Sequence, residues 1–224
     1  MPSSKIIELR QVLAQRFPQE MPPPSSLLAT GIESLDRPLD GGLRRGSITQ
    51  LVAPLPSCGS ASLLHDLIES MQASSQFVAL IDGKNSFEPL DVTNLLLWIR
   101  CENVTQAIRA TDLIIRDGNI VLSILDLKQN EAHELRKVPA TAWYRLQRVT
   151  AEIGTTLLLI TSYYISGSSY AALQINNPLG ITDFTEPFST VSQSRRIDFI
   201  YRKNSPFEAL AKEGHHVEPQ YAQA

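Results

Sequence analysis

The chain has few of the residues that staple or metallate small domains. Its two cysteines, Cys58 and Cys101, lie far apart. That excludes a CxxC pair or a thiolate metal site and leaves reduced thiols as the expectation. His65 and His133 are isolated, and His215 with His216 sits in the polar stretch AKEGHHVEPQYAQA without helical spacing to other ligands, so no metal site is expected. No apolar run approaches a membrane span, and the opening MPSSKIIELRQ has no signal-peptide core, so a cytoplasmic protein without membrane contact is expected. Twenty Lys and Arg against 23 Asp and Glu give a net charge of −3. The surface as a whole therefore does not attract nucleic acid, and any such contact needs a local patch. No nucleophile, base and orienting acid can be assembled from the remaining polar residues.

The hydrophobic content, 43% of 224 residues, is enough for one α/β domain with appendages. Ile6, Leu9, Val12, Leu13 and Phe17 recur at helical spacing, so residues 1–17 read as an N-terminal helix able to pack on a neighbour or on its own domain. Residues 18–29 hold three consecutive prolines and read as a stiff linker. Residues 30–205 read as the core domain and 206–224 as a polar tail.

Within the core, strands are expected at Ser47–Val52, Gln76–Asp82, Ile120–Asp126, Thr155–Thr161 and Arg196–Arg202. Helices are expected at Leu63–Met71, Asp91–Trp98, Val104–Arg116 and Ala140–Ile153, with a short segment at Leu97–Cys101 after the second of these. The central strands are apolar on both faces and alternate with helices. That pattern predicts a mostly parallel sheet covered by helices on both sides.

The segment after Ser47–Val52 has the layout of a phosphate loop, a strand followed by a glycine-containing turn and a helix. Its candidate residues are Ser57, Gly59, Ser60 and Ser62. A working loop follows its last glycine with a lysine and a hydroxyl, and Ser60 and Ala61 stand there instead. Pro54 and Pro56 also remove N–H donors that a phosphate cradle would use.

TGIESLD, GGLRRGSITQLVAP, FVALIDGKNSFEP, VLSILD and TTLLLIT occur in the order and approximate spacing of the RecA-type ATPase core. The chain thus resembles the RecA superfamily over about Thr30 to Lys203. Its length, lead-in and degenerate loop look most like the ImuA group, often described as SulA-like. The resemblance implies a three-layer RecA-like α/β core. It also places Lys84 where these enzymes carry the glutamate that activates water, and Asp126 at the Walker B aspartate. Ser162, Tyr163 and Tyr164 stand where a nucleotide-sensing glutamine would follow the strand.

The resulting expectation is an adaptor of the DNA-damage (SOS) response that has lost ATP hydrolysis, needs no cofactor and supports translesion synthesis by binding proteins. The implied partners are an ImuB-type polymerase relative, an associated error-prone polymerase and RecA itself, with self-association through the N-terminal helix. The alternatives are a SulA-like division inhibitor that binds FtsZ and a RecA-like ATPase with a divergent nucleotide site. Candidate partner or DNA contacts are Arg44, Arg45, Tyr163, Tyr164, Arg195 and Arg196, with Tyr170, Arg202 and Lys203 nearby. In the resemblance, the long stretch from Ser166 to Gln193 occupies the place of a DNA-contacting segment.

Overall fold

A computed structural model describes residues 26–88, 95–165, 167–176 and 196–202. The expected N-terminal helix, the polar tail, and the candidates Arg195, Lys203, His215 and His216 lie outside the described residues.

The lead-in starts before Thr30. Leu27–Leu28 (β1), within the expected linker, pairs antiparallel with Leu43–Arg44 (β2). Between them, Glu33–Asp36 (α1) and a turn of 3-10 helix at Arg37–Leu39 put Leu35 and Leu39 into the core. The chemistry of T-G-x-x-x-L-D is visible here. The Asp36 carboxylate accepts the Thr30 N–H through both oxygens at 3.0 Å, the Thr30 hydroxyl at 2.7 Å and the Gly31 N–H at 3.0 Å. Gly31 has φ +75°, and a Cβ there would meet Ser70 Oγ at 2.2 Å, so the position favours glycine.

Seven strands form one sheet. They are Ser47–Val52 (β3), Val78–Asp82 (β4), Leu96–Arg100 (β5), Leu122–Asp126 (β6), Thr156–Thr161 (β7), Ala171–Ile175 (β8) and Ile197–Arg202 (β9). The spatial order is β5-β4-β6-β7-β3-β8-β9, parallel throughout except for the antiparallel β8–β9 pair. The helices are Ser60–Ala73 (α2), Val104–Asp117 (α3), Ala132–Lys137 (α4) and Ala140–Ile153 (α5). One face of the sheet packs on α2 and the lead-in through Leu63, Leu67 and Met71. The other packs on α3 and α5 through Ala107, Ile115, Trp143 and Leu146. The result is three layers, as the doubly apolar strands predict.

Most expected elements are present, with ends shifted by a few residues. Of the helix expected at Asp91–Trp98, residues 91–94 lie outside the described residues, and Leu96–Trp98 belong to β5, which pairs residue for residue with β4 from Val78↔Leu96 to Asp82↔Arg100. A short apolar run such as LLLWI fits either period, and the open edge of β4 decided it. β8 was also unforeseen. AALQI adds to β3 in parallel, so part of the stretch expected to be a DNA-contacting segment is sheet core, with Ala171, Ala172 and Leu173 fully buried.

Removing the carboxylate that organises the lead-in by Asp36→Ala is expected to cost about 2 kcal/mol of stability, read as a lower urea midpoint at unchanged slope. An unchanged midpoint would show that the Thr30 turn holds without it.

Candidate functional site

Parallel pairing sets the carboxyl ends of β3, β4, β6 and β7 at one rim, where α/β folds bind their ligands. Four loops meet there. The β3–α2 loop crosses Pro54 to Gly59, with Gly59 in the left-handed region (φ 80°) as the residue before α2. This is the loop that the sequence marks as a degenerate phosphate cradle.

The lysine missing from that loop arrives from another strand. Lys128, two residues beyond the end of β6, extends its ammonium into the loop, where Nζ donates to Ser60 Oγ at 2.7 Å and to Pro56 O at 3.1 Å, with Cys58 Sγ at 3.6 Å. A phosphate cradle turns N–H donors inward. This loop turns a carbonyl, a hydroxyl and a sulfur toward the protein's own cation. Cys58 is fully buried at this contact, as a small filler would be.

The neighbouring carboxylates order the other loops. Asp82 and Asp126 end β4 and β6 in direct register. Asp82 accepts the N–H groups of Lys84 (3.2 Å), Ser86 (3.1 Å) and Phe87 (2.8 Å), so it folds the loop that carries Lys84. Phe87 then packs edge-on against Trp98, and the Arg100 guanidinium lies 5.0 Å from the Trp98 ring centre. Gly83 donates to Asp126 O, and its carbonyl accepts from the buried Asn130. A Cβ at Gly83 would meet Asn130 Oδ1 at 2.4 Å and Leu127 Cδ2 at 2.5 Å, so the two loops touch with no room for a side chain.

Asp126 accepts the Lys128 N–H at 2.9 Å. Burial pushes its carboxyl up to about 6; the Lys128 N–H and ammonium pull it down, and the charge of Asp82 pushes it further up. A groove of about 470 Å³ opens above these groups, lined by Ser60, Ser62, His65, Glu88, Asp126 and Lys128 among others.

On the far side of β3, the buried Gln50 donates to Thr161 Oγ1 at 2.8 Å and to Tyr163 O at 3.1 Å. It holds the turn after β7, where the resemblance finds no glutamine in sequence. Tyr163 donates its hydroxyl to Ala132 O at 3.2 Å, with Arg136 5.9 Å from its ring centre. Tyr164 is 39% exposed. Burial raises the pKa of both tyrosines.

The basic candidates do not gather at this rim. Arg44 stacks on Tyr170 at 4.6 Å beside the amino end of β3. Arg45 is 8% exposed, and its Nε and Nη1 have no acceptor. Burial lowers its pKa. Arg196 lies on the edge near Asp198, at 3.5 Å. Ser57 is exposed in the loop, while Ser60 is buried and bonded to Lys128.

The functional residues that sequence reasoning missed are Lys128, Asp82, Gln50 and Asn130. The only linear hint was the proximity of Lys128 to Asp126, and no motif spacing singles it out.

A family model described as "Family of unknown function (DUF7125)" matches residues 27–76, the lead-in through α2. The chain is 30% identical over 111 residues to the RecA protein of Streptomyces venezuelae, covering 46% of this chain and 29% of that protein. It is 31% identical over 118 residues to the RecA protein of Kineococcus radiotolerans, covering 50% of the chain and 34% of the relative. The chain carries a RecA-like core. The matched region spans only 29% to 34% of the length of these RecA proteins. Among the described residues of the RecA-like core, no helix is long and apolar enough to cross a membrane, and no group of three or more His, Cys, Asp or Glu could hold a metal ion.

Two outcomes test this rim. Lys128→Met keeps the apolar stem but removes the ammonium, and it is expected to lower the unfolding free energy by about 1–2 kcal/mol; no change would mean that the loop does not depend on the cation. Because folding raises the Asp126 pKa, the folded chain binds that proton more tightly than the unfolded chain does. Its contribution is therefore full below the ordinary value of 3.8 and is lost as pH rises to about 6. Asp126→Asn should therefore be more stable than the wild type by on the order of 1–3 kcal/mol above that range, with the gain vanishing below it, as read by denaturant titrations across pH.

Proposed function

We propose that the protein is a RecA-like adaptor of the DNA-damage (SOS) response that does not hydrolyse ATP and supports translesion synthesis by binding other proteins. The observation that carries this reading is the Lys128 ammonium in the β3–α2 loop, bonded to Ser60 and Pro56. A loop closed on an internal cation offers acceptors where a nucleotide triphosphate needs donors, and Pro54 and Pro56 supply no N–H there. The residue at the water-activating position of the resemblance is Lys84, which cannot act as a base while charged. These features support a site that works without Mg-ATP.

The ImuA likeness supplies the biological setting: an ImuB-type polymerase relative, an error-prone polymerase and RecA as partners in the cytoplasm. The physical logic is that a RecA-like core held together without nucleotide presents its surfaces permanently. One observation favours a second reading, an ATPase with a divergent nucleotide site. The groove of about 470 Å³ brings Ser62, Asp126 and Lys128 together, so the lysine would act from a different strand.

Titration of the full chain with Mg-ATP by calorimetry separates the two readings. No saturable heat and no thermal shift at millimolar nucleotide are expected, whereas saturable binding in the micromolar range would overturn the nucleotide-independent adaptor. Co-purification with the polymerase relative is then expected, and co-purification with FtsZ instead would favour the division inhibitor.

A further inference from the structure

On the face of the sheet opposite α2, α3 and α5 lie side by side. Their inward residues, such as Ile108, Ile115, Trp143 and Leu146, fill the core beneath them. Their outward residues include the two most exposed large apolar side chains among the described residues, Leu113 at 66% and Tyr144 at 58%. Both project from helices whose inward faces are already filled by the core, so neither serves the packing beneath.

Their surroundings are basic. Arg109 and Arg116 lie one turn to either side of Leu113 on α3, and Arg148 lies one turn beyond Tyr144 on α5. Arg116 and Arg145 share one carboxylate, Asp112, at 3.0 and 3.4 Å. Among the described residues, Arg109, Lys137 and Arg148 have no ion pair. A hollow of about 200 Å³ opens between α3 and the α4–α5 junction. Its lining brings Arg109, Lys137 and Arg145 around apolar groups such as Ile108 and Val138, with Glu134 as its one carboxylate. The Glu134 Oε2 atom is buried and has no donor.

We propose that this α3–α5 face docks an acidic segment of a partner protein, one that anchors an aliphatic or aromatic side chain against Leu113 and Tyr144. Its carboxylates meet Arg109, Lys137 and Arg145 around the hollow. The excess of cations on a chain with net charge −3 selects an acidic partner. The exposed Leu113 and Tyr144 favour a protein, whose apolar side chains can cover them, over a phosphodiester backbone, which has none. The proposal deepens the adaptor reading by naming the face and the partner's chemistry. Its test reads peptide binding without nucleotide, so failure here is distinguishable from failure in the Mg-ATP titration.

The probe is a fluorescein-labelled synthetic peptide that alternates Asp and Glu with Leu and Phe, titrated with the full chain by fluorescence anisotropy. Saturable binding that weakens with added salt is expected. The combined variant Arg109→Glu, Lys137→Glu, Arg145→Glu should weaken it at least about tenfold, and Leu113→Ser with Tyr144→Ser by about fivefold. Arg37→Glu, in the exposed lead-in on the α2 side of the sheet, should leave binding unchanged, and melting curves verify that each variant folds. Equal binding by the charge-reversed variant, or equal binding of a peptide with Asn and Gln in place of the acids, overturns the proposal. So does binding of labelled oligothymidylate, but not of the peptide, through the same residues, and so does an absence of binding by either probe at millimolar protein.

Discussion

Asp82 and Asp126 lie next to each other on adjacent parallel strands, at the level where the sheet ends and the loops begin. Two carboxylates drawn out of water side by side need donors or counter-charges from within the fold. The rim is built from those compensations. Asp82 gathers three backbone N–H groups and so fixes the loop after β4, while Asp126 takes the N–H of Lys128 and so fixes the start of the loop after β6. With its backbone held there, the Lys128 side chain reaches the β3–α2 loop, and three segments distant in sequence become one surface.

This has a consequence for the polarity of the site. In a phosphate-binding loop, the protein supplies positive ends of dipoles and the ligand supplies negative charge. Here the loop supplies Pro56 O, Ser60 Oγ and Cys58 Sγ, and the positive charge belongs to the chain itself. Ordering in RecA-like architecture is thereby obtained from an internal ammonium. The groove above it keeps a carboxyl pushed up to about 6 near the lysine. That is an electrostatic arrangement that holds two loops together, and the raised carboxyl is the cost that its contacts leave uncompensated.

The two sides of the sheet have different characters. The α2 side is closed by the lead-in, whose Leu35, Leu39 and Leu43 complete the core. The α3–α5 side carries its core inward and leaves Leu113, Tyr144 and a set of arginines outward. The adaptor role proposed above would draw on that asymmetry, with one face used for folding and the other available for association.

The sequence alone determined the architecture: runs such as VALI in β4 and LLLI in β7 put apolar residues on both sides, and a helix-covered parallel sheet buries both. It also determined Ala140–Ile153, whose helical spacing is regular and whose end at Gly154 is explicit. The lead-in motif was legible as a pattern, though its reason, one carboxylate holding the Thr30 turn, appeared only in three dimensions. Tertiary structure decided LLLWI, because a five-residue apolar run satisfies either period until a neighbouring strand offers an edge. It likewise decided AALQI, which became a strand by adding to β3. The candidate site was half legible: its loop and Asp126 could be found by motif, but Lys128, Gln50 and Asn130 could not. Their roles depend on side chains crossing between segments that are 68, 111 and 47 residues apart in the chain, and a linear pattern carries no record of contacts that the parallel sheet brings together.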